Sequence, residues 1–329
     1  MGDVIASRSG ITVGLSNHRV ENLPAAETAM EGHGIVALEE PPTEGFAAML
    51  AGRLTIEAHL EDLAPEFPEY SRRQCELLRR RHQVGVRIVQ VEPFLAALET
   101  IHARFEAGGR PPDMEAHPTL GPVYRAEKRW FSALLAYYVA SVGPDFDRAV
   151  EAVCAFARVD AERGNVRDAM RARELVSYLD FSGHLYVEAG TLHLGLVEQL
   201  RRRAPTGVPV QPRWLSAGQD AVEAAPPPPA PGDQMTLAFA RGDGLDRDQA
   251  RLLAARSLIQ AAMTVKEEMQ PTPEDPYPHA RDDAASCRLV GRLRYEDCRR
   301  LVPAIRSRPP LAARAVVERY LAPRSSTER

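Results

Sequence analysis

The sequence predicts an α/β fold: a mostly parallel sheet flanked by helices, with a long helical insertion and a small helical C-terminal appendage. Short apolar runs that suit buried strands alternate with longer segments whose apolar residues recur at helical spacing, the order of consecutive strand–helix–strand units. No strand signal occurs between residues 94 and 180. Only helical patterns follow a proline-rich stretch at residues 219–233.

Five segments have the composition of strands. They are residues 11–15, 35–38, 86–91, a run that begins at Leu185, and residues 208–215. The last segment contains two prolines, which cannot donate to a sheet ladder, so it is predicted at an edge. After the fourth run, Ala189-Gly190 is predicted to form a tight turn into a helix that ends in three arginines.

Amphipathic patterns predict the helices around these strands. Between the first three strands they fall at residues 21–30, 44–50, 54–63 and 71–83, and in the insertion at 94–107, 124–142, 145–161 and 165–179. Gly164 is predicted to separate the last two. Beyond the linker, helices are predicted at 246–269, 295–305 and 310–321, with a proline-rich loop at 270–283. The predicted domains are an α/β core at 1–218 with an insertion at about 94–180, a linker at 219–233, and a helical region at 234–329.

Composition narrows the classes of protein. The net charge of −4 provides no basic excess to neutralise phosphates, so nucleic acid is not predicted as a partner. No uninterrupted apolar stretch of about 18 residues is present, so no membrane span is predicted. The N-terminus has no signal-peptide pattern. The four cysteines show no paired spacing, which favours free thiols in a cytoplasmic protein.

Side chains with acid–base or metal-binding chemistry follow the predicted strands. They are His18 after the first strand, Glu39 and Glu40 after the second, Glu92 after the third, and Glu188 and His193 after the fourth. In an open α/β sheet, ligands bind at the carboxyl ends of the strands. Two imidazoles and up to three carboxylates there predict either a divalent metal site, for Mn, Fe, Co or Zn, or a metal-free His/Glu acid–base site.

Four short motifs occur in order along the chain. They are Gly14-Leu15-Ser16-Asn17-His18, Val36-Ala37-Leu38-Glu39, Val166-Arg167-Asp168-Ala169-Met170-Arg171-Ala172 and Gly190-Thr191-Leu192-His193. Together they resemble the superfamily that groups TraB-like proteins, the Tiki metalloproteases, ChaN-like haem-binding lipoproteins and erythromycin esterases. The first motif departs from that pattern, because it has one more residue between Gly and His and has Ser16-Asn17 where many relatives carry an acidic residue.

The resemblance implies a parallel-sheet fold and, in several branches, metal-dependent hydrolysis. By position, it implies that Glu39, His18 and His193 are metal ligands or acid–base groups, with Glu40, Glu92 and Glu188 as further candidates. It implies that Arg167 is a clamp for an anion or a carbonyl, a role that suits its planar guanidinium.

The sequence therefore predicts a cytoplasmic hydrolase-like enzyme that acts on an ester, amide or related bond of a small molecule or peptide. Two alternatives remain open. One is a non-catalytic protein that binds a small molecule or a haem-like group in the same crevice. The other is an accessory protein of a biosynthetic cluster, in which the C-terminal helical region docks a partner protein or a second copy of the chain.

Overall fold

The fold is built on one sheet of five parallel strands. The computed structural model describes residues 10–180, 184–215 and 229–322. The strands are β1 (Ile11–Ser16), β2 (Ile35–Leu38), β3 (Arg87–Gln90), β4 (Leu185–Gly190) and β5 (Val210–Trp214), in the order β3-β2-β4-β1-β5. All neighbouring pairs are parallel, which confirms the predicted α/β fold. Because β4 lies between β2 and β1, its carboxyl end adjoins the carboxyl ends of both.

Alternate side chains of each strand face opposite sides of the sheet. On one side, residues such as Val13 and Val187 pack against the second half of α8 (Phe146–Leu175) and against α9 (Leu194–Arg203), and we call this the α8 side. On the other, which we call the α4 side, Leu38 and Tyr186 pack against four helices. These are α1 (Leu23–Ala29), α2 (Glu44–Leu50), α3 (Ile56–Leu63) and α4 (Pro68–Gln83).

The chain divides into two compact units. The sheet unit comprises Met1–Glu127, Arg163–Ala217 and Gln270–Pro276, and the helical unit comprises Lys128–Glu162, Gly218–Met269 and Tyr277–Arg329. The sheet unit also contains α5 (Pro93–Glu106), α6 (Pro111–Glu115) and the start of α7 (Leu120–Val142), which pack around Phe94 and Val123.

Among the described residues, the helical unit holds the rest of α7, the first half of α8 and five further helices. These are α10 (Pro231–Arg241), α11 (Arg247–Met263), α12 (Pro278–Gly291), α13 (Tyr295–Ile305) and α14 (Pro310–Leu321). Its core is formed by aliphatic side chains that include Val150, Ile259 and Val302. In the described part of the chain, no helix is both long enough and apolar enough to cross a membrane.

The strands lie where the sequence predicts them, and β5 is at an edge of the sheet. Four local predictions are wrong. The helix predicted at 246–269 ends at Met263, and residues 264–277 are not helical. Gly164 does not separate two helices, because α8 continues through it; a glycine inside a helix costs only about 1 kcal/mol. Ala189 and Gly190 are the last residues of β4, paired with β1, and the turn follows them. Part of the predicted loop at 270–283 is helical, because Pro278 begins α12 at a position where proline is tolerated.

The compact units also divide the chain differently from the predicted domains. Residues 128–162 of the predicted insertion group with the C-terminal helices, whereas Arg163–Ala217 belongs to the sheet unit. Most of the predicted linker, residues 219–228, lies outside the described residues, and α10 already begins at Pro231.

Candidate active site

Charged side chains at the carboxyl edge of the sheet lie on one side of it or the other, because successive residues of a strand face opposite sides. Leu38, the last residue of β2, packs on the α4 side, so Glu39 contacts α8 and Glu40 belongs to the α4 side. Glu188 follows Tyr186 by two residues in β4 and therefore shares the α4 side. The edge consequently carries two groups: a buried network on the α8 side and a cavity on the α4 side.

The first group, which we call the Glu39 network, joins three acidic and three basic side chains. Its members are Glu39, Glu92, Arg167, Asp168, Arg171 and His193. The His193 imidazole bridges two carboxylates: its Nε2 lies 2.8 Å from Glu39 Oε1 and its Nδ1 lies 2.5 Å from Asp168 Oδ1. The second oxygen of Glu39 accepts a hydrogen bond of 2.8 Å from the main-chain N–H of Gly190.

The local sequence explains how His193 reaches Asp168. His193 caps the N-terminus of α9, and Gly195 is the second residue of that helix. A Cβ at Gly195 would lie 2.5 Å from Asp168 Oδ2, so only a glycine lets the carboxylate on α8 approach the start of α9 this closely. The same pair of helices therefore fixes both partners of this hydrogen bond.

Two arginines one turn apart on α8 complete the network. The Arg167 guanidinium lies 3.2 Å from Glu39 Oε1 and 3.1 Å from Glu92 Oε2. Arg171 is fully buried and donates to the main-chain oxygens of Val91 and Glu188 at 2.8 and 2.6 Å. Arg171 thus joins the ends of two strands while its positive charge stays 3.6 Å from Glu39.

These contacts shift the pKa values of the buried pair in opposite directions. Burial alone lowers the pKa of His193, but the charges and hydrogen bonds of Glu39 and Asp168 outweigh it and raise that pKa to about 10. Burial alone raises the pKa of Glu39, but His193, Arg171 and Arg167 outweigh it and hold the pKa well below its usual value. At neutral pH the network therefore contains an imidazolium and an ionised carboxylate.

In the described structure, both ring nitrogens of His193 face carboxylates. A histidine ligates a metal through a neutral ring nitrogen. Among the described residues, no group of three or more His, Cys, Asp or Glu side chains is placed to hold a metal ion. Metal binding at Glu39 and His193 would require His193 to lose a proton and its contact with Glu39.

The second group lines a cavity of about 210 Å³ on the α4 side. His18, Glu39, Glu40, Tyr70, Gln74 and Glu188 contribute to its wall. His18 has a left-handed backbone (φ 51°), and its N–H donates to the Ser16 hydroxyl at 3.2 Å. Its ring lies parallel to that of Tyr70, and its Nε2 is buried without a hydrogen-bond partner in the described structure.

Two further carboxylates of the wall are held by neutral donors. Glu188 is 7% exposed, and its Oε1 accepts hydrogen bonds from the Tyr70 hydroxyl at 3.0 Å and the Gln74 amide at 2.6 Å. Burial, with the nearby Glu188 charge, raises the pKa of the Tyr70 hydroxyl well above its usual value. Glu40 accepts from the Gln90 amide at 3.0 Å, and burial raises the pKa of Glu40, with a smaller contribution from Glu188.

The structure divides the predicted site residues between these two groups. Glu39, Glu92, Arg167 and His193 meet in the network. His18, Glu39, Glu40 and Glu188 line the cavity, so Glu39 belongs to both. The roles predicted for these residues stay predictions.

Sequence reasoning missed four residues that complete the site: Asp168, Arg171, Tyr70 and Gln74. Asp168 and Arg171 both lie in the third motif, in which only Arg167 is predicted as a site residue. Tyr70 and Gln74 are one turn apart on the buried face of α4, and a glutamine on an otherwise apolar helix face is the signal that a buried polar partner exists.

The chain is similar to an archaeal protein. The chain is 31% identical over 283 residues to an uncharacterized protein of Archaeoglobus fulgidus, and the match covers 86% of this chain and 94% of the archaeal protein. The chain belongs to the same family as that protein. No protein-family model matches the chain, and no solved structure matches it.

Proposed function

We propose that this protein is a hydrolase that cleaves an ester, amide or related bond of a small molecule or peptide in the cavity on the α4 side. The observation that carries the proposal is His18, which lines that cavity and whose Nε2 is buried without a hydrogen-bond partner in the described structure. An imidazole with a free nitrogen is the commonest general base in enzymes.

The reaction follows from the positions of the wall residues. His18 Nε2 takes a proton from a water molecule, and the water oxygen attacks the carbonyl carbon of the substrate. The resulting tetrahedral intermediate collapses, and the leaving oxygen or nitrogen receives the proton from the His18 imidazolium.

Glu39 serves as a fixed charge rather than as a base. Its carboxylate receives donors from His193, Arg167 and Gly190, and its pKa is held well below the usual value, so it is a weak proton acceptor. The Glu39 network instead holds one wall of the cavity rigid, which keeps reacting groups within reach of His18.

The resemblance to the TraB, Tiki, ChaN-like and erythromycin-esterase superfamily supports the same proposal. The residues that carry its four motifs meet at the carboxyl edge of the sheet, either in the Glu39 network or in the wall of the cavity. We also propose that the reaction takes place in the cytoplasm, since Cys75, Cys154, Cys287 and Cys298 are all free thiols.

The proposal is tested with p-nitrophenyl acetate as the ester, with the buffer rate subtracted. Wild type is compared with His18→Gln and with the matched control His102→Gln, an exposed histidine of α5. We expect hydrolysis by wild type and by the control, and a loss of about 10² to 10⁴ in kcat for His18→Gln, the usual contribution of a general base.

A second arm measures the dependence on metal. The protein is dialysed against EDTA and assayed before and after addition of Mn, Fe(II), Co or Zn, with metal content measured by plasma mass spectrometry. The proposal is refuted if no ester or amide in a panel is hydrolysed faster than in buffer with and without these metals. Ligand binding without turnover would then favour the non-catalytic alternative.

A further inference from the structure

The two groups at the carboxyl edge differ in how their carboxylates are neutralised. On the α8 side, the charges of Glu39, Glu92 and Asp168 are matched by three cationic side chains within ion-pair distance. On the α4 side, the described residues place no Lys, Arg or His side chain within 4.0 Å of the carboxylate of Glu188 or of Glu40. The chain thus surrounds Glu39, Glu92 and Asp168 with cationic side chains, whereas the hydrogen-bond donors to Glu188 and Glu40 are neutral.

Glu188 shows this most clearly. Its side chain is nine-tenths buried, and its two hydrogen-bond donors, Tyr70 and Gln74, are both neutral and both contact Oε1. Its Oε2 receives no hydrogen bond from the described residues. Arg171 passes close by, but donates to the main-chain oxygen of Glu188 and not to its carboxylate. Burying a carboxylate without a countercharge is unfavourable, so the position is one that a cationic ligand would stabilise.

Acidic side chains predominate among the charged residues of the cavity wall, in which His18 is the basic side chain that the described residues supply. Glu40 and Glu66 also line it, and Lys and Arg are absent from the lining that the described residues form. Arg19 lies over the ring of Phe67, 3.9 Å from its centroid, but it is not part of the lining and makes no ion pair with these glutamates in the described structure. Negative charge in a confined, low-dielectric space attracts cations and repels anions.

We propose that the cavity selects substrates that carry a cationic nitrogen group, an ammonium or a guanidinium, and binds that group at Glu188 and Glu40. The bound molecule is a substrate only if the protein is the proposed hydrolase, so this proposal rests on that one. The binding itself is measured without turnover. At about 210 Å³ the cavity is smaller than typical ligand pockets of roughly 300–1,000 Å³, so it suits an alkylammonium chain rather than a large molecule.

Isothermal titration calorimetry with n-butylammonium chloride tests the proposal, because this probe carries the cation and no bond to hydrolyse. Neutral 1-butanol and anionic butyrate match it in size. We expect n-butylammonium to bind at least tenfold more tightly than 1-butanol, and butyrate not to bind. Equal affinity for n-butylammonium and 1-butanol overturns the proposal, as does preferential binding of butyrate.

Variants identify the residues responsible. Glu188→Gln keeps the shape and an acceptor for Tyr70 but removes the charge, and we expect it to weaken n-butylammonium binding at least tenfold. Glu40→Gln also removes one negative charge from the cavity, so it should weaken n-butylammonium binding even if Glu188→Gln unfolds. Glu61→Gln, at an exposed position on α3, is the matched control. Unchanged affinity in folded Glu188→Gln and Glu40→Gln overturns the proposal.

A third arm separates organic from inorganic cations. Mg²⁺ and Zn²⁺ are titrated under the same conditions, and binding of these ions but not of n-butylammonium overturns the assignment to an organic cation. These binding results do not test the hydrolase proposal. That proposal is tested separately, by the turnover of esters and by the His18→Gln variant. Tight binding of n-butylammonium without any hydrolysis would refute the hydrolase and leave the cation site standing.

Discussion

The charged state of His193 leads to a specific dependence of stability on pH. The pKa of His193 is about 10 in the folded chain and about 6.5 in an unfolded one, so the folded state binds the proton more tightly. The stabilisation is fully present below pH 6.5 and is lost as the pH rises towards 10. A rise of this size corresponds to at most about 5 kcal/mol, and to about 1.4 kcal/mol for each pH unit within the window.

Urea unfolding between pH 6.5 and 8.5 measures this effect, and the contribution of thiols that ionise near pH 8.5 in the unfolded chain is common to the two variants compared. The background is Trp130→Phe, which leaves Trp214 on β5 as the reporter of the sheet unit. In this background the free energy of unfolding of the sheet unit should fall by up to about 3 kcal/mol over these two pH units. His193→Gln should be less stable at pH 6.5 but should lose much less as the pH rises, because its side chain does not titrate.

Glu39 makes the stability of the sheet unit fall at low pH, the opposite end of the pH range. Its pKa lies well below 4.5 in the folded state, so its contribution is present above pH 4.5 and is lost as the pH falls. These two groups together place the maximum stability of the sheet unit between about pH 4.5 and 6.5. Parallel curves for the Trp130→Phe background and for His193→Gln in it, between pH 6.5 and 8.5, would refute the assignment of an imidazolium to the network.

Three further substitutions test other parts of the site by their unfolding midpoints in urea. Arg171→Met removes the donors to two strand-end carbonyls and one positive neighbour of Glu39. It should lower the free energy of unfolding by about 3 kcal/mol or more. The control Arg173→Met, exposed on the same helix, should lower it by less than about 0.5 kcal/mol. Gly14→Ala places a Cβ 2.1 Å from the Tyr186 hydroxyl and should cost at least about 2 kcal/mol; a midpoint close to wild type would contradict this packing. Glu188→Gln removes an unpaired buried charge and should raise the midpoint, and a lowered midpoint would show that this carboxylate is not destabilising.

The sequence predicts the sheet well because its signals are local. Each strand is a short apolar run bounded by glycine, proline or charged residues, and the prolines near β5 exclude a central position. The residues at the strand ends follow directly, which is why Glu39, Glu92 and His193 could be proposed together. The order of the strands and the grouping of residues 128–162 with the C-terminal helices depend on long-range packing, which a single sequence does not express.

The division of the predicted site residues between the Glu39 network and the cavity could not be predicted, and the reason is geometric. Glu39 and Glu40 are neighbours in sequence, yet strand alternation sends one to a network rich in arginine and the other to a cavity without it. The sequence pattern grouped both with His18 and His193 as one set of candidate ligands. Only the structure shows that His193 already shares its two ring nitrogens with Glu39 and Asp168.

The central claim, that the cavity hydrolyses substrates bearing a cationic group, is tested most directly by one ratio. It is the ratio of kcat/KM for Nα-acetyl-lysine methyl ester to that for Nα-acetyl-norleucine methyl ester, two esters that differ in the terminal ammonium. We expect a ratio of at least ten for wild type and a ratio near one for Glu188→Gln. A ratio near one for wild type, or no hydrolysis of either ester, would contradict it.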